Sequence, residues 1–184
     1  MQYTTIYKSP LGELLLASDG ESLTGLWFEK QKYYAATLSE EGKENVNLPV
    51  FVKVREWLDK YFRKEKPKIS DLPLAPQGGE FRQAVWKILC AIPYGRIMTY
   101  GEIAQQIAAQ TGRKTMSAQA IGGAVGHNPI SIIIPCHRVV GSNGSLTGYA
   151  GGIDKKIRLL ETEGVDIAGL QKLLKSRRRN HAGD

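Results

Sequence analysis

The sequence is poor in cysteine and histidine, and this scarcity excludes several classes of protein. It contains two cysteines, Cys90 and Cys136, and three histidines, all of them after residue 79. Two cysteines in 184 residues cannot form the disulfide framework that is typical of small secreted proteins. Because residues 1–79 lack both residue types, they cannot hold a zinc ion through cysteine and histidine ligands. Each thiol must therefore be assigned separately, either to the core or to chemistry.

Long hydrophobic runs are also missing. No run approaches the roughly 20 apolar residues that span a bilayer, and Met1 to Thr5 lack the basic and apolar regions of a secretion signal. We therefore expect a cytoplasmic protein with reduced thiols and no membrane segment, and we expect it to be a monomer.

Positive charge is distributed unevenly along the chain, whose net charge is +7. Residues 1–79 carry eleven Lys or Arg against eleven Asp or Glu, residues 80–170 carry nine against six, and the segment from Gln171 carries five against one. Clustered positive charge favours a phosphate backbone through counterion release. On charge alone, a basic, disordered tail on an enzyme that does not bind nucleic acid is an equal alternative.

Turn clusters and hydrophobic periodicity predict an α+β fold. Three apolar runs separated by turn residues predict an N-terminal antiparallel β-meander: Tyr3 to Lys8, Glu13 to Ser18 and Leu23 to Phe28. Apolar residues spaced by three and four between Val50 and Phe62 predict a helix that packs on this sheet. Pro67 to Gly79 has the composition of a linker, so we place a domain boundary at residue 79.

Apolar periodicity in the second half of the sequence predicts helices with short connections. Phe81 to Ile92 forms an amphipathic stripe, and Thr99 with Glu102 predicts a capping box at the start of the next helix. Ser117 to Val125 predicts a further helix whose exposed side is mostly Ala, Gly and Gln. The two helices with their short connection suggest a helix-turn-helix, although many helical pairs share this pattern.

Residues 130–164 contain the second cysteine and a further predicted helix. Ile130 to Ile134 predicts a short buried strand that delivers Cys136 into the interior, and Asp154 to Gly164 predicts a last helix. The predicted organisation is therefore an N-terminal structural domain over residues 1–79, a mainly helical domain over residues 80–170 and a basic tail over residues 171–184.

Cys136 and His137 are neighbours in the sequence. Cysteine is a strong nucleophile when a neighbouring group helps it to lose its proton. Adjacent side chains rarely hydrogen-bond to each other, so we expect His137 to take the Cys136 proton through a water. A bare Cys-His dipeptide is, however, more often a buried structural cysteine beside an incidental histidine.

Residue context favours the reactive interpretation. Six segments occur in a fixed order: FRQAVWKILCAIPY from Phe81 to Tyr94, Ile97 to Ala104, Asn128-Pro129-Ile130, Ile134 to Val139 (IPCHRV), Gly148 to Gly152 (GYAGG) and Leu159 to Gly164. Together they resemble the O6-alkylguanine-DNA alkyltransferase family. The resemblance is specific over the second half of the chain, whereas the first half matches as a fold pattern only. It implies a ribonuclease H-like first domain followed by a catalytic and DNA-binding domain.

The resemblance implies an irreversible, single-turnover reaction. The alkyl group of O6-alkylguanine in DNA, with O4-alkylthymine as a further candidate, would pass to Cys136 without a cofactor. His137 would act as the base, Glu163 would orient His137, and Asn128 would tie the recognition helix to the active-site strand. Glu163 is unusual independently, because negative charge is disfavoured at a helix C-terminus unless a cationic partner is near. A solvated surface glutamate and an ordinary Asn-Pro turn remain the alternatives for these two residues.

The resemblance also implies double-stranded DNA as the partner. A guanine O6 substituent lies within the duplex, so the nucleotide must be flipped out before the thiol can reach it. Small residues such as Ala120 and Gly123 would let the recognition helix enter the minor groove. Tyr100 would press on the flipped nucleotide's phosphate and donate to the base, although tyrosine in a helix is more often core or interface. Further predicted DNA contacts are Arg113, Lys114 and Arg138, and the predicted pocket wall comprises Val125, Val139, Tyr149, Ala150 and Gly151.

Two positions depart from the family pattern. Gln119 stands where well-known members carry an arginine that fills the gap left in the base stack, and glutamine stacks less well. The connection from Thr111 to Met116 is longer than the usual turn, and its Arg113 and Lys114 can reach a phosphate.

Three other interpretations compete with repair. A zinc site built from Cys90, Cys136, His127 and His137 would have irregular spacing and would inactivate the nucleophile, so we expect no metal. A damage sensor that binds alkylated guanine without repairing it would not need Cys136. A thiol hydrolase with a Cys-His-Glu triad would turn over many times, whereas alkyl transfer to cysteine ends after one reaction.

Overall fold

The computed structural model of the protein describes residues 1–38 and 41–182. Its N-terminal sheet contains the strands Tyr3–Ser9 (β1), Gly12–Ser18 (β2), Leu23–Phe28 (β3) and Lys43–Glu44 (β4), in the order β3-β2-β1-β4. The first three strands pair antiparallel, as the meander prediction requires, whereas β4 pairs parallel with β1. The predicted β-meander is therefore confirmed, and β4 was not anticipated because a two-residue strand leaves no alternating pattern.

The helix Pro49–Phe62 (α1) packs its apolar stripe on this sheet. A proline at its first position fits a helix start, since the first N–H groups of a helix have no intrahelical partner. The buried side chains of α1 join those of β2 and β3 in a core that also contains Ile103, Ile121 and Leu159 from the second half. One continuous core therefore lies on both sides of the linker.

The outer edge of β3 anchors the linker and one segment of the second half. The Leu23 N–H donates to the carbonyl of Pro73 at 2.8 Å, and the Ala75 N–H returns a bond to Leu23 at 2.8 Å. Farther along the same edge, the Leu26 N–H donates to Pro129 at 2.8 Å, and the Ser131 N–H donates to Leu26 at 2.9 Å. The linker and the segment before Cys136 are thus both fixed to the N-terminal sheet by backbone hydrogen bonds.

The remaining helices are Glu80–Cys90 (α2), Tyr100–Thr111 (α3), Ala118–Gly126 (α4), Ile153–Thr162 (α5) and Ile167–Ala182 (α6). The predicted capping box is present at α3, where the Thr99 side chain accepts from the Glu102 N–H at 3.1 Å and the Glu102 carboxylate accepts from the Thr99 N–H at 2.8 Å. Two short strands, Met98–Thr99 (β5) and Val139–Val140 (β6), pair parallel and connect α3 to the segment after Cys136.

The prediction of a strand over Ile130 to Ile134 is wrong. Ile130 makes a single bridge to Leu26, and the chain then turns, with Ile132 at a φ of 69°. The turn is closed by the Ile134 N–H donating to Ile130 at 3.1 Å. Every residue in the run is buried, which accounts for its mostly apolar composition. Burial alone does not distinguish a strand from a compact turn.

The end of the chain also differs from expectation. Helix α5 was predicted as the last helix, but α6 follows it, and most of the segment that charge alone identified as a basic tail lies in α6. Leu174 of α6 packs against Val140, Leu146 and Leu160, and the Gln171 amide donates to the Gly144 carbonyl at 3.0 Å. Within residues 1–38 and 41–182, no helix combines the length and apolarity needed to cross a membrane.

Candidate active site

Cys136 opens a short 3-10 turn, Cys136–Arg138, immediately after Pro135. Its side chain is buried, with 4% of the residue exposed. Burial raises the pKa of the Cys136 thiol above its ordinary value, and a hydrogen bond from Asn128 and the charge of Lys156 oppose this rise. The resting group is therefore a thiol at neutral pH, and it needs a proton acceptor before it can act as a nucleophile.

Asn128 follows α4 and organises the turn that carries Cys136. Its amide nitrogen donates to the carbonyls of Ile134 at 2.8 Å and Ile130 at 3.2 Å, and it lies 3.2 Å from Cys136 Sγ. Its oxygen accepts from the Ile130 N–H at 3.0 Å. These bonds satisfy backbone groups that a strand would have paired, which explains why the apolar run can turn. The side chain thus joins the end of α4 to the sulfur atom.

His137 and Glu163 form a buried pair. The His137 Nε2–H donates to the Glu163 carboxylate at 2.5 Å, and neither side chain is exposed. Burial lowers the pKa of His137 and outweighs the opposite effect of Glu163. The ring is therefore neutral at neutral pH, with its lone pair on Nδ1, which is buried and has no hydrogen-bond partner among the residues that the structure describes. A neutral imidazole held in this way can accept a proton at Nδ1.

Glu163 caps the C-terminus of α5 and accepts four hydrogen bonds. Besides His137, the donors are the Tyr61 hydroxyl at 2.7 Å, the Gly95 N–H at 3.0 Å and the Arg138 Nε at 2.7 Å. Burial by itself raises the pKa of Glu163, but the hydrogen bond and electrostatic attraction of the His137 N–H, together with the hydrogen bond and charge of Arg138, lower the pKa to about 2. Glu163 is therefore a carboxylate in the folded protein, in spite of its place at a helix C-terminus.

Arg138 corrects one prediction. We expected it to contact DNA, but only 5% of the residue is exposed, and its guanidinium donates to Glu163 and to the Ile92 carbonyl. A buried cation beside a carboxylate stays paired, because exposing either group alone would leave the other charge buried without compensation. Arg138 is the cationic partner that the position of Glu163 required.

No sequence signal identified two further residues, Tyr61 and Gly95, as partners of Glu163. Tyr61 lies in α1, 102 residues from Glu163, and its apolar neighbours in the stripe made it look like an ordinary core residue. Gly95 has a φ of 77°, and a Cβ added there would lie 3.0 Å from the Glu163 carbonyl oxygen, so this position favours glycine. Only the turn signal Pro93-Tyr94-Gly95 pointed to a special backbone conformation there.

Lys156 is a buried cation near the cysteine segment. None of the residue is exposed, and its ammonium donates to the Val139 carbonyl at 2.5 Å. Burial lowers the pKa of Lys156 to about 8, while the negative charge of a Cys136 thiolate acts in the opposite direction. Sequence reasoning missed this residue, since a lysine in an amphipathic helix is normally solvated.

The predicted pocket residues fall into two groups, one in the loop before α5 and one in the buried core. Tyr149, Ala150 and Gly151 lie in the loop before α5, and a Cβ on Gly151 would lie 2.8 Å from the Tyr149 ring and 3.1 Å from Phe28, so glycine is needed there. Val139 is fully buried beside Cys136, and Val125 is buried in the core on the inner side of α4. Val125 therefore belongs to the core beneath α4.

Tyr100 begins α3, and its hydroxyl would lie 3.6 Å from a Cβ on Gly148. Burial raises the pKa of Tyr100, and negative charge on Cys136 raises it further. The hydroxyl consequently remains protonated at neutral pH and can donate a hydrogen bond close to the cysteine.

The exposed side of α4 carries mostly small side chains, and no other described residue covers its glycines. Gln119, Ala120 and Gly123 are exposed, and a Cβ added at Gly122, Gly123 or Gly126 would meet nothing within 4 Å. In the connection before α4, Arg113 and Lys114 are exposed as well. Another surface can therefore come close to the α4 backbone. In the part of the chain that the structure describes, no cluster of three or more His, Cys, Asp or Glu residues could hold a metal ion.

Comparison with known proteins gives consistent matches over both halves. Residues 2–76 match the ribonuclease-like domain of 6-O-methylguanine DNA methyltransferase, and residues 80–165 match its DNA binding domain. A methylated-DNA--protein-cysteine methyltransferase of Haemophilus influenzae is 46% identical over 161 residues, which cover 88% of this chain and 86% of that protein.

Two solved structures from Mycobacterium tuberculosis are similar throughout. The O6-methylguanine methyltransferase superposes with a TM-score of 0.75 at 42% identity, covering 89% of this chain and 93% of the other. OGT in complex with DNA superposes with a TM-score of 0.73 at 43% identity, covering 88% of this chain and 91% of the other.

Proposed function

Because the chain belongs to the 6-O-methylguanine DNA methyltransferase family, we propose that it repairs DNA by transferring the alkyl group of O6-alkylguanine irreversibly to Cys136. The observation that carries the proposal is the buried thiol, which receives an amide hydrogen bond from Asn128 and is followed directly by the His137–Glu163 pair. A solvated or metal-bound cysteine would not need this arrangement.

The reaction is a displacement at the alkyl carbon. His137 Nδ1 takes the Cys136 proton through a bridging water, and the Asn128 amide supports the resulting thiolate. Sulfur then bonds to the alkyl carbon, the bond from that carbon to guanine O6 breaks, and its electron pair stays on the guanine. Tyr100 donates a proton to the leaving base and regains one from solvent, while the His137 imidazolium releases to solvent the proton that came from Cys136. The overall change is therefore a thioether on Cys136 and an unmodified guanine.

Glu163 acts through His137. It holds the Nε2–H, fixes the tautomer that leaves Nδ1 free, and favours the imidazolium formed during proton transfer. Because the thioether has no leaving route, each molecule reacts once. The thiol and the alkylated base supply all the reacting atoms, so the step requires no cofactor.

DNA binding is assigned to the second half, with residues 80–170 forming the catalytic and DNA-binding domain and residues 1–79 the supporting domain. Helix α4 enters the minor groove through the open face that includes Ala120 and Gly123. Gln119 occupies the space left by the flipped nucleotide, and Arg113 and Lys114 contact phosphates. Val139, Tyr149, Ala150 and Gly151 line the base pocket. The repair reaction fits a monomer in the reducing cytoplasm, because the thiol must stay free.

Mass spectrometry after incubation with an O6-methylguanine oligonucleotide tests the proposal. The protein should gain one methyl group on Cys136 and then stop. Cys136→Ser should bind the same DNA without gaining mass, because a serine hydroxyl is a poor nucleophile here. Cys90→Ala, the matched control at the half-buried second thiol, should react at the wild-type rate per folded molecule. Binding without mass gain in the wild type would indicate a damage sensor, and repeated turnover would indicate a thiol hydrolase.

A further inference from the structure

A groove of about 360 Å³ lies between α4 and the segment that follows β3. The side chains that define it come from both halves of the protein: Lys32, Tyr33, Gln119, His127 and Tyr149. Glycines of α4 and the backbone around Ala150 complete its walls, and none of the lining residues is acidic. The groove therefore continues from the open face of α4 to the loop proposed to hold the base.

The segment after β3 is fastened to this site at two points. The Lys32 N–H donates to the Ala150 carbonyl at 3.0 Å. The Tyr33 ring stacks on His127, the residue that caps α4, with 3.9 Å between ring centroids and an interplanar angle of 23°. A part of the N-terminal domain thus reaches the active-site loop and the recognition helix at the same time.

The backbone of this segment is strained. Lys30, Tyr33 and Ala35 have φ values of 63°, 61° and 52°, which side chains other than glycine rarely adopt. Such conformations persist only where surrounding contacts enforce them, and they are concentrated at ligand clamps and functional loops. Here the contacts are the stack of Tyr33 on His127, the bond from Lys32 to Ala150 and hydrogen bonds within the segment's own turns.

The exposed groups of the segment suit a phosphate. Lys32 and Tyr33 are both exposed, and the Lys32 ammonium lies 5.2 Å from the centroid of the Tyr33 ring. An ammonium over the face of an aromatic ring is attracted by the ring, so Tyr33 restrains the position of the charge. The groove thus offers a positioned cation with no competing carboxylate among its walls.

We propose that Lys32 contacts a backbone phosphate of the bound DNA, and that Tyr33 positions Lys32 for this contact. The inference rests on the proposed function and adds the N-terminal domain to the DNA-binding surface, which the sequence had confined to residues 80–184. DNA is the occupant because the groove is open, bears positive charge and continues into the α4 face that is proposed to meet the minor groove.

Binding to a lesion-containing duplex at several salt concentrations tests the contact. Lys32→Ala should weaken affinity for every sequence by roughly three- to ten-fold near physiological salt, and should make the slope of log affinity against log salt shallower by about 0.9, the value for one phosphate. The control is Lys53→Ala, an equally exposed lysine on α1 that should change neither quantity. Equal behaviour of the two variants would overturn the proposal.

Variants at Tyr33 test the positioning role. Tyr33→Ala should weaken binding, Tyr33→Phe should restore wild-type binding, and combining Tyr33→Ala with Lys32→Ala should add little, because both changes remove the same interaction. Full additivity, or wild-type binding by Tyr33→Ala, would overturn this role.

A mass-spectrometric endpoint distinguishes failure of the phosphate contact from failure of the repair function. At saturating methylated DNA, Lys32→Ala should still gain one methyl group, as the wild type does. A wild type that gains none would refute the repair function, while the salt slopes, which need no transfer, would still decide whether Lys32 meets phosphate.

Discussion

The Asn128 amide nitrogen lies 3.2 Å from Cys136 Sγ and also holds the carbonyl of Ile134 at 2.8 Å. The group that shapes the turn is therefore the group that faces the nucleophile. Among the side chains that contact the sulfur in the described residues, Asn128 provides the hydrogen bond that stabilises negative charge there.

Asn128→Ala should affect both roles. Loss of the amide leaves buried carbonyls unsatisfied, so stability should fall by about 1–3 kcal/mol, and transfer should slow by roughly ten-fold or more because the thiolate loses a donor. Denaturant unfolding and single-turnover kinetics measure the two effects. The control is Asn143→Ala, whose side chain accepts a hydrogen bond from Ser145 in the loop after β6. An unchanged transfer rate in folded Asn128→Ala would exclude a role at the sulfur.

Glu163→Gln should slow methyl transfer by roughly ten- to a thousand-fold while leaving DNA affinity nearly unchanged, because His137 loses its orienting charge. The amide also places a donor among groups that all donate to Glu163, so some stability should be lost. Rates must therefore be expressed per folded molecule. A pH profile of transfer separates the effects, since a purely structural role would leave its midpoint in place. A rate within a factor of about two of wild type would rule out the role assigned to Glu163.

Stability should decline on acidification in two stages. Burial lowers the pKa of His137 in the folded protein, so below about pH 6.5 this residue binds a proton in the unfolded chain but not in the folded protein. The free energy of unfolding therefore begins to fall below that pH. The folded pKa of Glu163 is also lowered, to about 2, so its contribution is complete above its unfolded pKa and is lost as the pH falls from about 4.3 towards that value. That contribution is on the order of 3 kcal/mol. Urea unfolding at several pH values should show both stages, and Glu163→Gln should lack the more acidic one.

Gln119→Arg should raise the transfer rate on duplex DNA and leave the rate on single strands little affected. Gln119 is exposed on α4, where a planar cation can both stack in the gap left by the flipped nucleotide and meet a phosphate. Single-turnover rates on both substrates provide the comparison. Equal gains on the two would show that residue 119 does not act in the base stack.

Deleting Lys175 to Asp184 should reduce DNA affinity for every sequence and flatten its salt dependence by up to about one unit for each phosphate that is no longer bound. The cut preserves Gln171 and Leu174, which brace the loop after β6, so transfer at saturating DNA should be unchanged. Arg177, Arg178 and Arg179 are the exposed cations removed with Lys175. An unaltered salt slope would mean that the end of α6 is a solvated helix without a part in binding.

Local sequence patterns predicted the elements whose signals are local. Apolar runs separated by turn residues identified β1 to β3, the three-and-four spacing identified α1, and the Thr99–Glu102 pair identified the start of α3. The reactive group was recognised from an ordered set of short motifs around Cys136 rather than from the cysteine itself.

What the sequence missed depends on contacts between distant residues. The strand predicted before Cys136 is a turn because one side chain, Asn128, takes over the hydrogen bonds of the backbone. Arg138 was predicted to contact DNA, and only the fold shows it paired with Glu163. Tyr61 and Lys32 belong to the first half, and nothing local indicates that they reach the site.

The edge of β3 also affects local unfolding of the segment that carries Cys136. Leu26 exchanges backbone hydrogen bonds with Pro129 and Ser131, just before the Asn128-organised turn ends at Cys136. A fluctuation that releases the segment before Cys136 must therefore also break its hydrogen bonds to Leu26 of the N-terminal sheet. The free energy needed to open this segment thus includes the loss of contacts between the two halves. Separating them at residue 79 would leave the second half with unpaired backbone groups at positions 129 and 131. It would also leave the first half with an edge of β3 that is unpaired at Leu26, and an unpaired strand edge favours aggregation.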